Sequence, residues 1–442
     1  MQEFLLVVRA CALLERASGV KLHRDPSPGK VMFLALGRWR GTLSQDDIPQ
    51  FSRLSDHLDF LGVELRATFT QTRKVNGEQL QTRVSNTIGP WKSGKFMPLT
   101  LRPFSANTYV LAKVWFKCSS MNLRVQDITG INSQVKSWMY QDCFEKPNEL
   151  VLYRDAKEGG LGLLNVKMRA LACLIRTFLE TAANPSFRHS LLHEILFRYH
   201  VLDDTGLNDP GMPPYYDDHF FKTIKHYHEH SPLNIAVMSL KQWYTVLMED
   251  NVLMSPATDN SPQCLLPIRV ELLSPTIDWP NTWRLIRVKG LSSELSTFLF
   301  KLLHCLLPTQ VRVARLGAAA NPTPGLCLHC QLEEEDATHA FFSCPHSNIA
   351  GLALLGWVQG AVPDLSPERA VQLQLGDDLP QEDELAVVYL LALGLKFIWE
   401  ARISRKQIVL HQMRSELEAR ITILRKSKHK ETAIKMNELL QT

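Results

Sequence analysis

The sequence predicts an α+β chain that is predominantly α-helical, and three observations carry that prediction. Apolar residues recur at three- and four-residue steps through Ala106 to Lys117, Val166 to Glu180, Ser293 to Leu306 and Leu410 to Leu424. Short runs with strand character, around Val31 to Leu36 and Phe60 to Leu65, are confined to the first 90 residues. Cys327, Cys330, His339 and Cys344 stand at C-x2-C-x8-H-x4-C spacing, which predicts a small module stapled by a metal ion.

Composition bounds the organisation. A chain of 442 residues, 45% hydrophobic and 21% charged, buries substantial cores and divides into two to four compact units. Nine cysteines with a metal pattern among them point to reduced thiols, and Glu3 and Arg9 interrupt the Leu5 to Leu14 apolar stretch that an export signal would need. The expected location is therefore intracellular, nucleus or cytoplasm. Leu385 to Leu395 is the longest uncharged apolar run and is too short to cross a bilayer, so it reads as a buried helix. A formal charge of +4 is too small to imply nucleic acid by itself, and what matters is where the charge sits.

Taken in order, residues 1–90 form an α+β piece, with a helix from Phe4 that ends at Ser18-Gly19 followed by the two short strands. Residues 91–180 are helical, and Ala106 to Lys117 sets Val110, Val114 and Trp115 against a basic face of Lys113 and Lys117. Residues 181–282 are richer in Pro, Asn and Asp, with loops at 203–214 and 256–267, and read as a linker region with a few helices. In 283–360, Ser293 starts a helix carrying Leu295, Phe298, Leu299, Leu302, Leu303 and Leu306, and Pro308-Thr309 starts a shorter one with Arg312 and Arg315. Those two guanidinium groups either hold phosphate beside the metal loop or form a solvated helix face. Residues 361–442 end in a helix whose Leu410, Met413, Leu417, Ile421 and Leu424 make a narrow seam for a partner helix or for the chain's own body. Beyond the seam lie Arg425, Lys426, Lys428, Lys430 and Lys435, a stretch that suits phosphate or, offset by Glu416, Glu418, Glu431 and Glu438, a solvated face.

Three thiols and an imidazole make a soft donor set for one tetrahedral Zn²⁺, with the polar Gln331 to Ala337 stretch looping out between the two ligand pairs. The remaining cysteines are scattered singly, so the cluster is a site and not a chance of composition. Other constellations carry less. His219, His226, His228 and His230 crowd one segment without a carboxylate or cysteine at ligand spacing, and read as a polar surface with Phe220 and Tyr227 packed inward. Gly159, Gly160 and Gly162 follow Lys157-Glu158 without a preceding strand, and read as a tight turn between helices instead of a phosphate loop. For Pro363-Asp364 and the acidic 377–384 stretch, the downstream lysine near a second carboxylate that a nuclease clamp needs is not evident.

Thr309-Gln-Val-Arg-Val-Ala-Arg-Leu-Gly, the Cys327-x2-Cys330 pair and His339-Ala-Phe-Phe-Ser-Cys344-Pro345 resemble the zinc-binding segment that follows the polymerase domain of LINE-type (non-LTR) retrotransposon reverse transcriptases. Upstream, Ser18-Gly19-Val-Lys21-Leu22-His23 looks like the Ser-Gly-x-Lys-Leu-Asn element of the same family, with His23 in place of Asn. Asp59-Phe60-Leu61-Gly62-Val63 is similar to its Tyr-Leu-Gly strand, and Trp91-Lys-Ser-Gly, Ala112-Lys113-Val-Trp115 and Lys157 to Leu163 resemble its thumb and post-thumb segments, all in the family's order.

The resemblance implies a palm edge in 1–90, a thumb-like 91–180, a linker in 181–282, a zinc module in 283–360 and a basic helical tail. It also implies RNA or DNA as partner, with Lys92, Lys95, Lys113 and Lys117 facing backbone phosphates, joined by Arg312, Arg315, Lys426, Lys428 and Lys430. The family's catalytic Asp-Asp turn lies upstream of the Ser-Gly-x-Lys-Leu element, yet none of the residues before Ser18 is aspartate, and Asp46-Asp47 falls after it. The expectation is a truncated, non-enzymatic, reverse transcriptase-like protein that binds one structural zinc and nucleic acid. The alternatives are a zinc-held protein-interaction scaffold using the Leu410 to Leu424 seam, or a fragment of a longer enzyme without a function of its own.

Overall fold

A computed structural model describes residues 31–34, 52–60, 62–66, 68–92, 97–141, 146–147, 149–183, 220, 223–224, 226–227, 237–250, 277–315, 325–376 and 379–441. The expectations at Ser18 to His23, Asp46-Asp47, Lys95, His219, His228 and His230, and the loops at 203–214 and 256–267, lie outside the described residues. Within them the protein is predominantly helical with a small β contribution, as expected. The chain divides into two compact units, one of residues 1–86, 112–132 and 166–245 and the other of 87–111, 133–165 and 246–442.

In the first unit, β1 (Val31–Leu34) pairs in parallel with β2 (Ser52–Ser55), and β3 (His57–Phe60) pairs antiparallel with β4 (Val63–Arg66). The stretch expected as one strand from Phe60 to Leu65 is instead a hairpin reversal, because Gly62 at φ +78° turns the chain between β3 and β4. From the long helix α1 (Phe69–Lys92), Leu80 and Val84 are buried at four-residue spacing. Helix α2 (Ala112–Ser120) packs on α4 (Val166–Ala183), with Val114 and Cys118 on one side and Ala172, Cys173 and Phe178 buried on the other. Between them in sequence runs α3 (Val125–Met139). Phe220 and Tyr227 are buried and His226 is exposed, as the bland reading of that histidine-rich segment required.

Lys117 departs from expectation. Its side chain is buried, and Nζ donates to Asn76 Oδ1 at 2.6 Å and to Gln79 Oε1 at 3.1 Å from α1. Burial, reinforced by Arg83, lowers its pKa against the opposing pull of Glu64 and Asp59. A phosphate-facing role for Lys117 is therefore corrected: three residues after Val114, it lies on the buried face of α2, where Asn76 and Gln79 take its ammonium.

Most of α5 (Leu240–Met248) belongs to the first unit; the second is built around α10 (Gln381–Ile403), with α6 (Trp279–Leu285), α7 (Ser293–Leu303), α8 (Gln310–Arg315) and α9 (Asn348–Gln359) preceding it in the chain. Residues Ala386 to Ala392 of α10 are buried at every position, which is what an apolar run with no polar face demands. Around α10 pack α7, α9, α11 (Leu410–Arg425) and α12 (Lys430–Leu439). Helix α7 is capped by Ser292, whose Oγ accepts from Leu295 N–H at 3.3 Å, one residue before the expected start. It ends at Leu303, so Leu306 is buried from the loop beyond. No described helix is long and apolar enough to cross a membrane.

The seam of α11 is occupied from within. Met413, Leu417, Ile421 and Leu424 are buried against the chain's own helices, facing Ala433, Met436 and Leu439 of α12 and the flank of α10. A partner helix on that seam is thereby corrected, because its apolar surface is already removed from water.

The glycine turn also serves packing. Gly159 (φ +80°) presents its carbonyl to His304 Nε2 at 2.7 Å, and a Cβ on Gly160 would meet the Arg154 carbonyl oxygen at 1.9 Å. Trp279, Trp283 and His304 stack in sequence, with centroids 5.2 Å and 4.8 Å apart.

Candidate metal centre

The metal loop is a narrow reversal. Leu326 and Glu334 form an antiparallel bridge, Cys327 N–H donates to the Glu333 carbonyl at 2.9 Å, and Glu335 N–H donates to the Gly325 carbonyl at 2.9 Å. Gln331 adopts φ +56°, which closes the turn just after Cys330 and lets its N–H reach the Cys327 carbonyl at 2.9 Å. The second ligand pair sits on the π-helical turn His339–Ser343 and its end, anchored where Asp336 Oδ1 accepts from His339 N–H at 2.7 Å. Phe341 and Phe342, between the ligands, point into the core, and Phe341 packs on Trp399 of α10 at 5.9 Å.

These two segments bring Cys327, Cys330, His339 and Cys344 together with all ligand atoms within 4.8 Å of one another. Cys327 Sγ lies 3.8 Å from Cys344 Sγ, and Cys330 Sγ lies 3.4 Å from His339 Nε2. A tetrahedral Zn²⁺ with sulfur ligands at about 2.3 Å and nitrogen at about 2.1 Å gives edges of about 3.8 Å and about 3.6 Å. The donor set fits one structural zinc ion, and with four protein ligands it leaves no open position for water or substrate.

The surroundings tune the donors. Burial, with Cys344 and Glu335 nearby, pushes the Cys327 thiol up to about 12, and burial likewise raises Cys344. Burial also acts on Cys330, but N–H groups of Leu332 and Glu333 and the His339 ring outweigh it and bring this thiol down to about 7. Cys327 and Cys344 thus keep their protons at neutral pH unless a cation replaces them, so zinc binding is expected to release protons. His339 uses its other nitrogen, Nδ1, toward Glu333 Oε2 at 3.1 Å, which fixes the ring with Nε2 toward the cysteines.

A second set of residues, invisible to spacing, holds the loop on the helices. Glu335 is fully buried; its Oε1 accepts from Gln310 N–H at 3.0 Å and its backbone carbonyl from Val311 N–H at 3.3 Å, satisfying the start of α8. Arg402, near the end of α10, pairs with both Glu335 oxygens, its Nε at 3.0 Å from Oε2, while its guanidinium lies 4.8 Å from the Trp399 ring centre. His329, inside the CxxC turn, reaches the Arg402 carbonyl at 3.0 Å. The acidic run from Glu333 to Asp336 reads as a polar loop, yet Glu333 and Asp336 hold His339 and Glu335 is buried; no sequence signal marks Arg402 as the partner of Glu335.

Residues 271–350 match the family described as zinc-binding in reverse transcriptase, and that range contains all four donors. This part of the chain is reverse transcriptase-related. No curated protein matches the chain. The reverse transcriptase-related segment spans α6, α7, α8, the metal loop and the start of α9, so the staple and α8 belong to one matched region, while α10, which Arg402 ties to the loop, lies beyond it.

The expected nucleic-acid residues fare unequally. Lys92, Lys113, Arg315, Lys426, Lys428 and Lys430 are exposed. Arg312 is buried like Lys117, so its guanidinium does not stand free beside the zinc loop, and the pairing of Arg312 with Arg315 as a phosphate clamp is corrected. Being one turn apart on a helix put both on adjacent positions, but Glu335 draws the start of α8 against the core and turns the Arg312 side of it inward.

Proposed function

We propose that the protein is a LINE-type, non-LTR retrotransposon-derived reverse transcriptase-like protein that binds RNA or DNA and does not itself transfer nucleotides. The observation that carries this is the family match over 271–350 coinciding with four converged zinc donors. The ordered series of LINE-like elements upstream, from Ser18 to Leu163, supports the finer assignment, and the converged donor set is a four-ligand zinc site and not a pair of carboxylates. A cradle of two carboxylates for Mg²⁺ is what nucleotidyl transfer needs. The exposed lysines at 426, 428 and 430 supply the electrostatic term. The competing scaffold reading loses support with its seam packed inside the chain.

The test is fluorescence anisotropy with labelled RNA and DNA across a salt series. Binding should weaken steeply with salt and weaken again in K426E/K428E/K430E, and a primed template should not be extended. Salt-insensitive binding, or primer extension abolished by chelating Mg²⁺, would contradict the proposal.

A further inference from the structure

The cations of the C-terminal helices fall into two classes. Arg414 pairs with Glu418, Arg420 with Glu416, Lys435 with Asp383 and Glu438, and Lys396 with Glu294 and Glu400. Arg425, Lys426, Lys428 and Lys430 are exposed and take part in no ion pair among the described residues. Three of the four acidic residues that could have neutralised the tail are spent on other cations, and only Glu431 remains beside it.

A fifth unpaired cation arrives from far away in sequence. Gly290 (φ +111°) lies directly under the His429 ring: a Cβ there would stand 2.6 Å from His429 Cε1 and 2.9 Å from Leu385 Cδ2. Lys289 precedes that glycine, while Lys428 and Lys430 flank that histidine, so one chain step of about 3.8 Å separates each lysine from the contact. Lys289 is exposed and likewise unpaired among the described residues. Of the described carboxylate side chains at the neighbouring start of α10, Asp383 is bound to Lys435 and Glu384 to Arg284, so neither opposes the cluster.

The surface is also preorganised. Ser427 Oγ donates to the Leu424 carbonyl at 2.8 Å and accepts from His429 N–H at 3.1 Å, which fixes the turn between α11 and α12 without using a lysine. No Phe, Tyr or Trp occurs from residue 400 to the end of the sequence, so the tail offers no ring on which an unstacked base could rest.

We infer that Lys289 and the Arg425 to Lys430 turn form one surface that grips the phosphate backbone of a nucleic-acid duplex, in preference to a single strand. This rests on the proposed nucleic-acid function and specifies where and in what form the polymer is held. Five cations on phosphates give a log–log salt slope of about −4 to −5 on duplex DNA.

The experiment measures anisotropy of the full-length zinc-loaded protein with a labelled duplex and a single strand of equal length, across a salt series, for the wild type, K289A, K428A and R414A. K289A and K428A are each expected to flatten the slope by about one unit, and R414A, whose cation is paired, to leave it unchanged. Polyglutamate should compete poorly. If the duplex binds and K289A behaves as wild type, nucleic-acid binding stands and this surface is overturned. Tighter binding of the single strand, or polyglutamate competing as well as duplex, also overturns it; failure of every nucleic acid to bind wild type sinks the underlying function instead.

Discussion

The zinc loop and the turn between α11 and α12 are both short, polar and embedded in the second unit, yet they are held by opposite means. The loop from Gly325 to Cys344 draws its order from donors and buried charge: four ligands around one point, Glu333 behind His339, and Glu335 clamped by Arg402. The turn from Lys426 to His429 is held by what flanks it, with Met413, Leu417, Ile421, Ala433 and Met436 buried on the two helices and its own cations left in solvent. The contrast separates stability from binding: perturbing the loop should cost folding, and perturbing the turn should cost affinity only.

Removing the ion is the strongest way to probe that contrast. Cys327→Ser, or a tight chelator, should unfold the 325–347 region, since structural zinc sites of this type contribute on the order of 10 kcal/mol to their folds. Loss of amide protection there, with α11 and α12 retaining theirs, is the expected hydrogen-exchange result. Uniform protection after chelation would erase the distinction.

Next in size is the buried pair. Glu335→Ala leaves Arg402 buried without a partner and exposes the start of α8, and should cost about 3–5 kcal/mol in denaturant unfolding. A double-mutant cycle with Arg402→Met should recover part of that loss, whereas additive losses would show the two residues act separately.

Acid sharpens the comparison with a third site in the same unit. His304 is buried against Trp283, and burial, with Arg154 and Arg287 adding to it, holds its pKa down to about 4 despite the bond to Gly159. A histidine depressed in the folded state contributes stability above its unfolded value near 6.5, and that contribution disappears as pH falls through 6.5 toward 4. Roughly 3 kcal/mol should be lost over this window, and His304→Phe should flatten the dependence; an unchanged pH profile in that variant would rule His304 out as its source.

Smaller effects follow from the carboxylate behind the ligand. Glu333→Gln should weaken zinc affinity about 10–100-fold in competition with a chromophoric chelator while leaving the fold intact. Smallest of all, K426E/K428E/K430E should leave the midpoint of unfolding within about 0.5 kcal/mol of wild type. A marked destabilisation would mean that the turn carries folding energy after all.

What the sequence discloses tracks the range of the interaction. The four zinc donors are legible because their chemistry is local and their spacing must close around one ion. The helical class and the burial of Ala386 to Ala392 are legible because periodicity and an unbroken apolar run report burial directly. Lys117 and Arg312 run against expectation because a charged side chain suggests solvent but does not name the neighbour that takes it: Asn76 and Gln79 lie about forty residues from Lys117. Glu335 and Arg402, 67 residues apart, carry no pattern at all, and their pairing emerges only once α10 is laid against the loop. The hairpin at Gly62 is an intermediate case, in which a glycine inside a strand pattern signals a reversal that was available to read.

Everything distinctive about the loop depends on the ion, so metal content is the decisive measurement. Elemental analysis of protein purified without chelator should find one zinc per chain, and cobalt substitution should give the charge-transfer and d–d bands of a tetrahedral three-thiolate, one-imidazole site. Protein that stays folded through the 325–347 region with no bound zinc, or a cobalt spectrum of octahedral form, would contradict it.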